Sequence, residues 1–221
     1  MSHTKLIDLS HTVRDGMVTY PGGYAVRLTA HLTREASKPH YADGTSFQID
    51  RLDMTGPTGT YLDAPFHRHA DGPDLAALPL AATAALPGLV VDATSHGARG
   101  LGPELFKAHD ITGKAVLVRT GYSDYFGTDR YFQDPPFLTR GAADYLAGNG
   151  AELVGVDFMN VDDTNDPARP THTILLGRNI PIVEHLTGLD RLPDSEFLFF
   201  AAPAKVEGMG SITVRAFALI A

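Results

Sequence analysis

Short apolar runs separated by turn residues dominate the middle of this chain. Leu89-Val90-Val91-Asp92, Ala115-Val116-Leu117-Val118-Arg119 and Leu153-Val154-Gly155-Val156-Asp157 are apolar on both alternating sets of positions. That pattern suits strands buried on two faces. Three earlier segments also read as strands: Leu6-Ile7-Asp8-Leu9, Ala25-Val26-Arg27-Leu28 and Phe47-Gln48-Ile49-Asp50-Arg51-Leu52-Asp53-Met54, the last with two-residue alternation. Gly141-Ala142-Ala143-Asp144-Tyr145-Leu146-Ala147 has helical character, with Thr139 as its cap and Gly148-Asn149-Gly150 as its stop. The run Ser211-Ile212-Thr213-Val214-Arg215-Ala216-Phe217-Ala218-Leu219-Ile220 alternates as one last strand should. Strand, helix and strand in succession predict an α/β core, and no internal repeat or low-complexity segment interrupts it.

Composition narrows the class. With 221 residues and 43% hydrophobic content, the chain can bury a substantial core, and no linker divides it, so residues 1–221 are expected to form a single domain. The absence of Cys excludes disulfides, thiolate zinc sites and a cysteine nucleophile. No apolar run approaches transmembrane length, and Met1-Ser2-His3-Thr4-Lys5 lacks the core of a signal peptide, which makes the cytoplasm the expected location. A net charge of −8 without a basic stripe argues against nucleic-acid partners. The expected partners are a small-molecule substrate and other copies of the chain.

The densest chemistry lies in Gly59-Thr60-Tyr61-Leu62-Asp63-Ala64-Pro65-Phe66-His67-Arg68-His69. Asp63 and His67 sit on a segment stiffened by Pro65, a start for a metal or acid/base site. His69 is a further donor, which alternation along an extended segment would put on the same side as His67. His172 and Glu184 flank Leu175-Leu176-Gly177-Arg178-Asn179-Ile180-Pro181-Ile182-Val183. The Glu follows an apolar run, where a buried strand would end and where α/β folds place ligands. Taken singly, each of these residues reads as a solvated turn, loop or strand-end group. His3, His11, His31, His40, His96, His109 and His185 have no carboxylate at ligand spacing and read mostly as surface or satisfied structural histidines.

Together these segments resemble the cyclase family, which includes bacterial kynurenine formamidases and isatin hydrolases. The family pattern H-x-G-T-H-x-D-x-P-x-H is matched by Gly59, Thr60, Asp63, Pro65 and His67, and the family's later His and Glu align with His172 and Glu184. Further echoes are Leu6-Ile7-Asp8-Leu9-Ser10, Tyr20-Pro21-Gly22, Arg119-Thr120-Gly121, Val154-Gly155-Val156-Asp157 and Lys205-Val206-Glu207-Gly208-Met209-Gly210-Ser211. Pro57 and Tyr61 stand where the pattern has its first and second His.

The resemblance implies a swivelling β/β/α architecture with a mixed sheet, and a homo-oligomer, dimer or tetramer. It also implies two metal positions, one held by the two missing imidazoles with the Asp and Glu, the other by Asp63, His172 and Glu184, with His67 as proton donor and acceptor. Proline offers no donor and a neutral phenol is a poor ligand, so at most one divalent ion, zinc or manganese, is expected. Tyr20 takes the place of a substrate-stacking aromatic residue.

The implied activity is hydrolysis of an amide, lactam or ester bond of a small carbonyl substrate. Arylformamidase chemistry on N-formylkynurenine, a step of tryptophan catabolism, is the specific expectation. Two readings stay open beside it: a metal-independent cyclase or lyase using Tyr61 and His67, and a non-catalytic small-molecule-binding protein.

Overall fold

The computed structural model describes residues 5–220, so His3 and the start of the chain lie outside the described residues. Its strands are β1 (Lys5–Asp8), β2 (Arg27–Leu32), β3 (Ile49–Asp53), β4 (Tyr61–Asp63), β5 (Leu86–Asp92), β6 (Gly100–Leu101), β7 (Ala115–Arg119), β8 (Phe137–Leu138), β9 (Leu153–Val156), β10 (Ile182–Glu184), β11 (Phe197–Phe200), β12 (Ser211–Thr213) and β13 (Phe217–Ile220). The helices are α1 (Arg34–Ser37), α2 (Arg140–Gly148) and α3 (Pro170–Gly177). Nine strands form one mixed sheet in the order β1-β13-β11-β5-β7-β9-β10-β4-β12. Its centre, β5 to β10, is parallel, and antiparallel strands extend it on both sides.

The apolar runs are the parallel strands, and both of their faces are buried. Val91, Val116, Val118, Val154, Val156 and Ile182 point to one cluster, which α2 and α3 cover with Ala142, Ala143, Leu146, Leu175 and Leu176. Val90, Leu117, Leu153 and Val183 point to the other, where they meet Leu62, Phe199 and Ala218 of the antiparallel strands. Such a sheet needs apolar residues at successive positions, which is why these strands stand out in the sequence. Helix α2 starts where expected: the Thr139 hydroxyl accepts from Ala142 N at 3.2 Å.

Three expectations require correction. The terminal run is two strands: β12 pairs with β4, whereas β13 lies between β1 and β11. The chain bends between them because its backbone finds partners elsewhere, with Val214 N donating to Thr60 O at 2.9 Å and Ala216 N donating to the Ser10 hydroxyl at 2.7 Å. The second strand spans Arg27–Leu32 rather than 25–28, and with β3 it forms a separate ribbon that is largely exposed. Finally, the segment after Asp63 is not extended. Pro65–His67 form a 3₁₀ turn in which Arg68 N donates to Pro65 O at 3.1 Å.

Candidate active site

Register brings the site together on one face of the sheet. In the β10–β4 pair Glu184 lies opposite Tyr61, and in the β12–β4 pair Ser211 lies opposite Asp63. Alternation along β4 puts Tyr61 and Asp63 on the same face, so all four side chains converge. Gly59 opens this segment with a φ of +63°, a left-handed conformation that glycine adopts without penalty. Helix α3 crosses the same face and adds His172, a buried helical residue and not the loop histidine that its own neighbours suggested.

His172 is surrounded by carboxylates. Its Nδ1 bonds Asp162 Oδ2 at 2.7 Å, and Asp162 also accepts from the backbone nitrogens of Thr171 at 2.6 Å and His172 at 3.1 Å. Nδ1 therefore carries the proton given to Asp162, and Nε2 faces the site. Nε2 lies 3.7 Å from Asp63 Oδ2 and 3.8 Å from Glu184 Oε1. Burial lowers the imidazole's affinity for a proton, but Asp162, Asp63 and Glu184 outweigh it and push the pKa up to about 10. Burial raises the Glu184 pKa, an effect the His172 charge opposes.

Glu184 is held on both oxygens. Val161 N donates to Oε1 at 2.6 Å, and the Tyr61 hydroxyl donates to Oε2. The Tyr20 hydroxyl meets that of Tyr61 and lies 3.0 Å from Met159 O and 3.2 Å from His185 Nε2. Burial, followed by the Glu184 charge, raises both phenols well above their usual pKa, so they stay protonated donors.

Asp63 is satisfied on one side only. Ser211 donates its hydroxyl proton to Oδ1 and lies 2.8 Å from His67 Nδ1, so that nitrogen must be the donor of the second bond. Asp63 Oδ2 is buried and has no hydrogen-bond partner. His69 points away from His67: its Nε2 lies 3.1 Å from Thr173 O, because the turn at Pro65 breaks the expected alternation.

These residues could hold a divalent cation. Asp63, His67 and His172 each offer a ligand atom within 4.8 Å of the others, and Glu184 stands beside His172. The separations of 3.7 and 3.8 Å from His172 Nε2 are too long for hydrogen bonds. They are close to the roughly 3.4 Å that separates two ligands of one tetrahedral ion at bond lengths of about 2.1 Å. An orphaned buried carboxylate oxygen facing an imidazole whose other nitrogen is held by a carboxylate fits that group.

A cavity of about 270 Å³ opens over the cluster. Tyr20, Pro57, Tyr61, His67 and His172 line it, and Arg68, Asn160 and Arg169 complete its wall. Asp162, Ser211 and His185 escaped the sequence reading as site residues. Asp162 stands ten positions before its imidazole partner, Ser211 lies in a distant segment, and His185 carries no carboxylate at ligand spacing. Only the Asp162-Asp163 pair and the Gly210-Ser211 echo gave any signal.

The family model for cyclases, described as putative cyclase, matches residues 7–163. The chain is 27% identical over 217 residues to a kynurenine formamidase of Bacillus cytotoxicus, and 28% identical over 216 residues to one of Bacillus anthracis, covering 98% of each partner in both alignments. Among solved structures it resembles isatin hydrolase A from Labrenzia aggregata bound to benzyl benzoate, with a TM-score of 0.83 at 23% identity, covering 98% of this chain and 94% of that one. A potential metal-dependent hydrolase with cyclase activity gives a TM-score of 0.79 at 25% identity, covering 99% of this chain and 98% of the other.

Gly210 fixes the His67 turn. A Cβ added there would lie 2.6 Å from both His67 N and His67 Cα, backbone atoms that cannot step aside. Gly210→Ala is expected to cost about 1–3 kcal/mol of stability and to loosen the His67–Ser211 contact. Denaturant unfolding and the NMR resonances of the His67 ring check this, and unchanged values of both would contradict it.

Proposed function

The chain belongs to the cyclase family, and from that premise we propose that it hydrolyses the amide bond of an N-formyl aromatic amine, an arylformamidase reaction of the N-formylkynurenine type. One observation carries the reading: Asp63 Oδ2 is buried without a partner in front of His172 Nε2. A site made for hydrogen-bond chemistry alone would leave that oxygen without a hydrogen bond, facing only the charge of the His172 ring, whereas a cation held by Asp63, His172 and Glu184 would satisfy it. Similarity to curated kynurenine formamidases over nearly the full chain supports the substrate class.

A divalent ion at this place, zinc or manganese, supplies Lewis-acid chemistry: it polarises a carbonyl and acidifies water. The protein does the rest. Tyr20 and Pro57 offer apolar surface against which an aromatic amine can lie. Ser211 holds His67 with its proton on Nδ1, which leaves the Nε2 lone pair free. His67 Nε2 takes a proton from the attacking water and returns it to the leaving nitrogen as the C–N bond breaks, releasing formate and the free amine. Tyr61 donates its hydroxyl proton to Glu184 Oε2 and the Tyr20 hydroxyl stands 3.3 Å from the same oxygen, so that oxygen would not be open to a second ion. The centre is accordingly mononuclear. The chain acts as a homo-oligomer, with the β2–β3 ribbon and its exposed Leu28, Ile49 and Leu52 as the contact surface.

Four measurements test this reading. Turnover of N-formylkynurenine should fall about 10²–10⁴-fold in His67→Ala and less in Ser211→Ala, with metal content retained in both. Loss of metal from His67→Ala would make His67 a ligand instead. Elemental analysis should find one ion per chain, and two stoichiometric ions would overturn the mononuclear reading. Because the ion-free His172 ring holds its proton up to about pH 10, an ion must displace that proton. Affinity should therefore weaken by about tenfold for each pH unit below about 10, as competition with a chelator would show. Sedimentation equilibrium should give a dimer or larger, shifted towards monomer by Leu52→Glu; a monomeric wild type would refute the assembly.

A further inference from the structure

The floor of the cavity accounts for the hydrolytic reading, but its mouth carries two groups that this chemistry does not use. Arg68 follows His67 on the 3₁₀ turn, and Arg169 precedes the first residue of α3. Both line the cavity that holds Tyr61, His67 and His172. Neither guanidinium has a carboxylate partner among the described residues. In a chain of net charge −8, two guanidinium groups without a carboxylate partner line one cavity mouth.

Both side chains are anchored in ways that leave donors free. Arg68 spends only its Nε, which donates to Thr173 Oγ1 at 3.0 Å. The same hydroxyl donates to Arg169 O at 2.7 Å, so one threonine ties both arginines to α3. Arg169 makes three contacts, to Asn160 Oδ1, Asp163 O and Thr164 O, all at 3.4 Å and at the weak end of hydrogen bonding. Its backbone is also unusual, with a φ of +46° in the left-handed region that side-chain-bearing residues rarely enter. Nothing in the folding of α3 requires an arginine there, since Asp162 already caps the helix by accepting from Thr171 N and His172 N.

We propose that Arg68 and Arg169 form a carboxylate-recognition pair at the cavity mouth, the part of the site that selects a side-chain carboxylate on the N-formyl aromatic amine. This rests on the hydrolase reading for the reaction, but not for the binding. Guanidinium groups match carboxylates through paired, charge-assisted N–H donors, and a partly desolvated site strengthens the match. The pair acts at a distance from the scissile bond, so its energy serves substrate binding and selection. A neutral substrate gains nothing from it.

Turnover and binding test this separately. For N-formylkynurenine, Arg68→Gln and Arg169→Gln should each raise KM by about 10–100-fold with kcat nearly unchanged, while the constants for neutral formanilide stay within twofold. Arg169→Asn, a residue that tolerates the left-handed conformation, should behave as Arg169→Gln does and guards against misfolding. Equal losses on both substrates, or no loss on N-formylkynurenine, would overturn the proposal. Calorimetric titration with phenylacetate and phenylacetamide does not depend on turnover. The wild type should bind the acid at least about tenfold tighter than the amide, and each variant should erase the difference. A preference that survives in both variants, or none in the wild type, would overturn the pair. If neither formamide is turned over, the hydrolase reading fails, and the binding measurement alone decides on the recognition pair.

Discussion

Two carboxylates buried side by side are the constraint around which this molecule is arranged. Asp63 and Glu184 are both fully buried, and His172 stands between them. Burying one ion costs several kcal/mol unless it is paired and hydrogen-bonded, so the surrounding elements are recruited to compensate. Ser211 and Tyr61 each donate a hydroxyl proton, Val161 donates its backbone N–H, and Asp162 aligns the imidazole. What remains is Asp63 Oδ2, the one oxygen in the cluster without a partner. A cation fits that remainder, and the same orientation of His172 that suits the carboxylates also suits a metal ligand.

The compensation is built from distant segments, which ties the site to the whole fold. Strand β4 is the hub, since β10 delivers Glu184 on one side of it and β12 delivers Ser211 on the other. The 3₁₀ turn after β4 closes on Gly210, whose carbonyl accepts from Ala64 N at 2.7 Å. Displacing any of these strands by one residue would turn the site side chains to the opposite face.

A second, uncharged layer stands behind the first. His185 is fully buried, its pKa lowered to about 3 by burial, and it sits between the Tyr131 hydroxyl at 3.1 Å and the Tyr20 hydroxyl at 3.2 Å. A neutral imidazole with a partner on each nitrogen is a spacer, and it holds the Tyr20 hydroxyl beside Glu184.

The sequence by itself determined the buried strands, the second helix with its Thr139 cap, and the family. Each of these rests on local information: apolar residues at successive positions, a capping side chain three residues from its donor, and a motif compressed into a few residues. Asp63, His67, His172 and Glu184, which the structure brings together, were legible as candidates for the same reason, because chemistry-bearing residues stand out against apolar neighbours. Only the tertiary structure decided how they are used. The division of the last strand depends on partners at Thr60 and Ser10, about 150 and 200 residues away in sequence. The tautomer of His67 depends on Ser211, and that of His172 on Asp162. Tyr61 stands beside Asp63 in the motif, yet its hydroxyl turns to Glu184 across the strand pair. Hydrogen bonds of this kind are set by register and by which face a side chain takes, and neither quantity is written in the residues that form them.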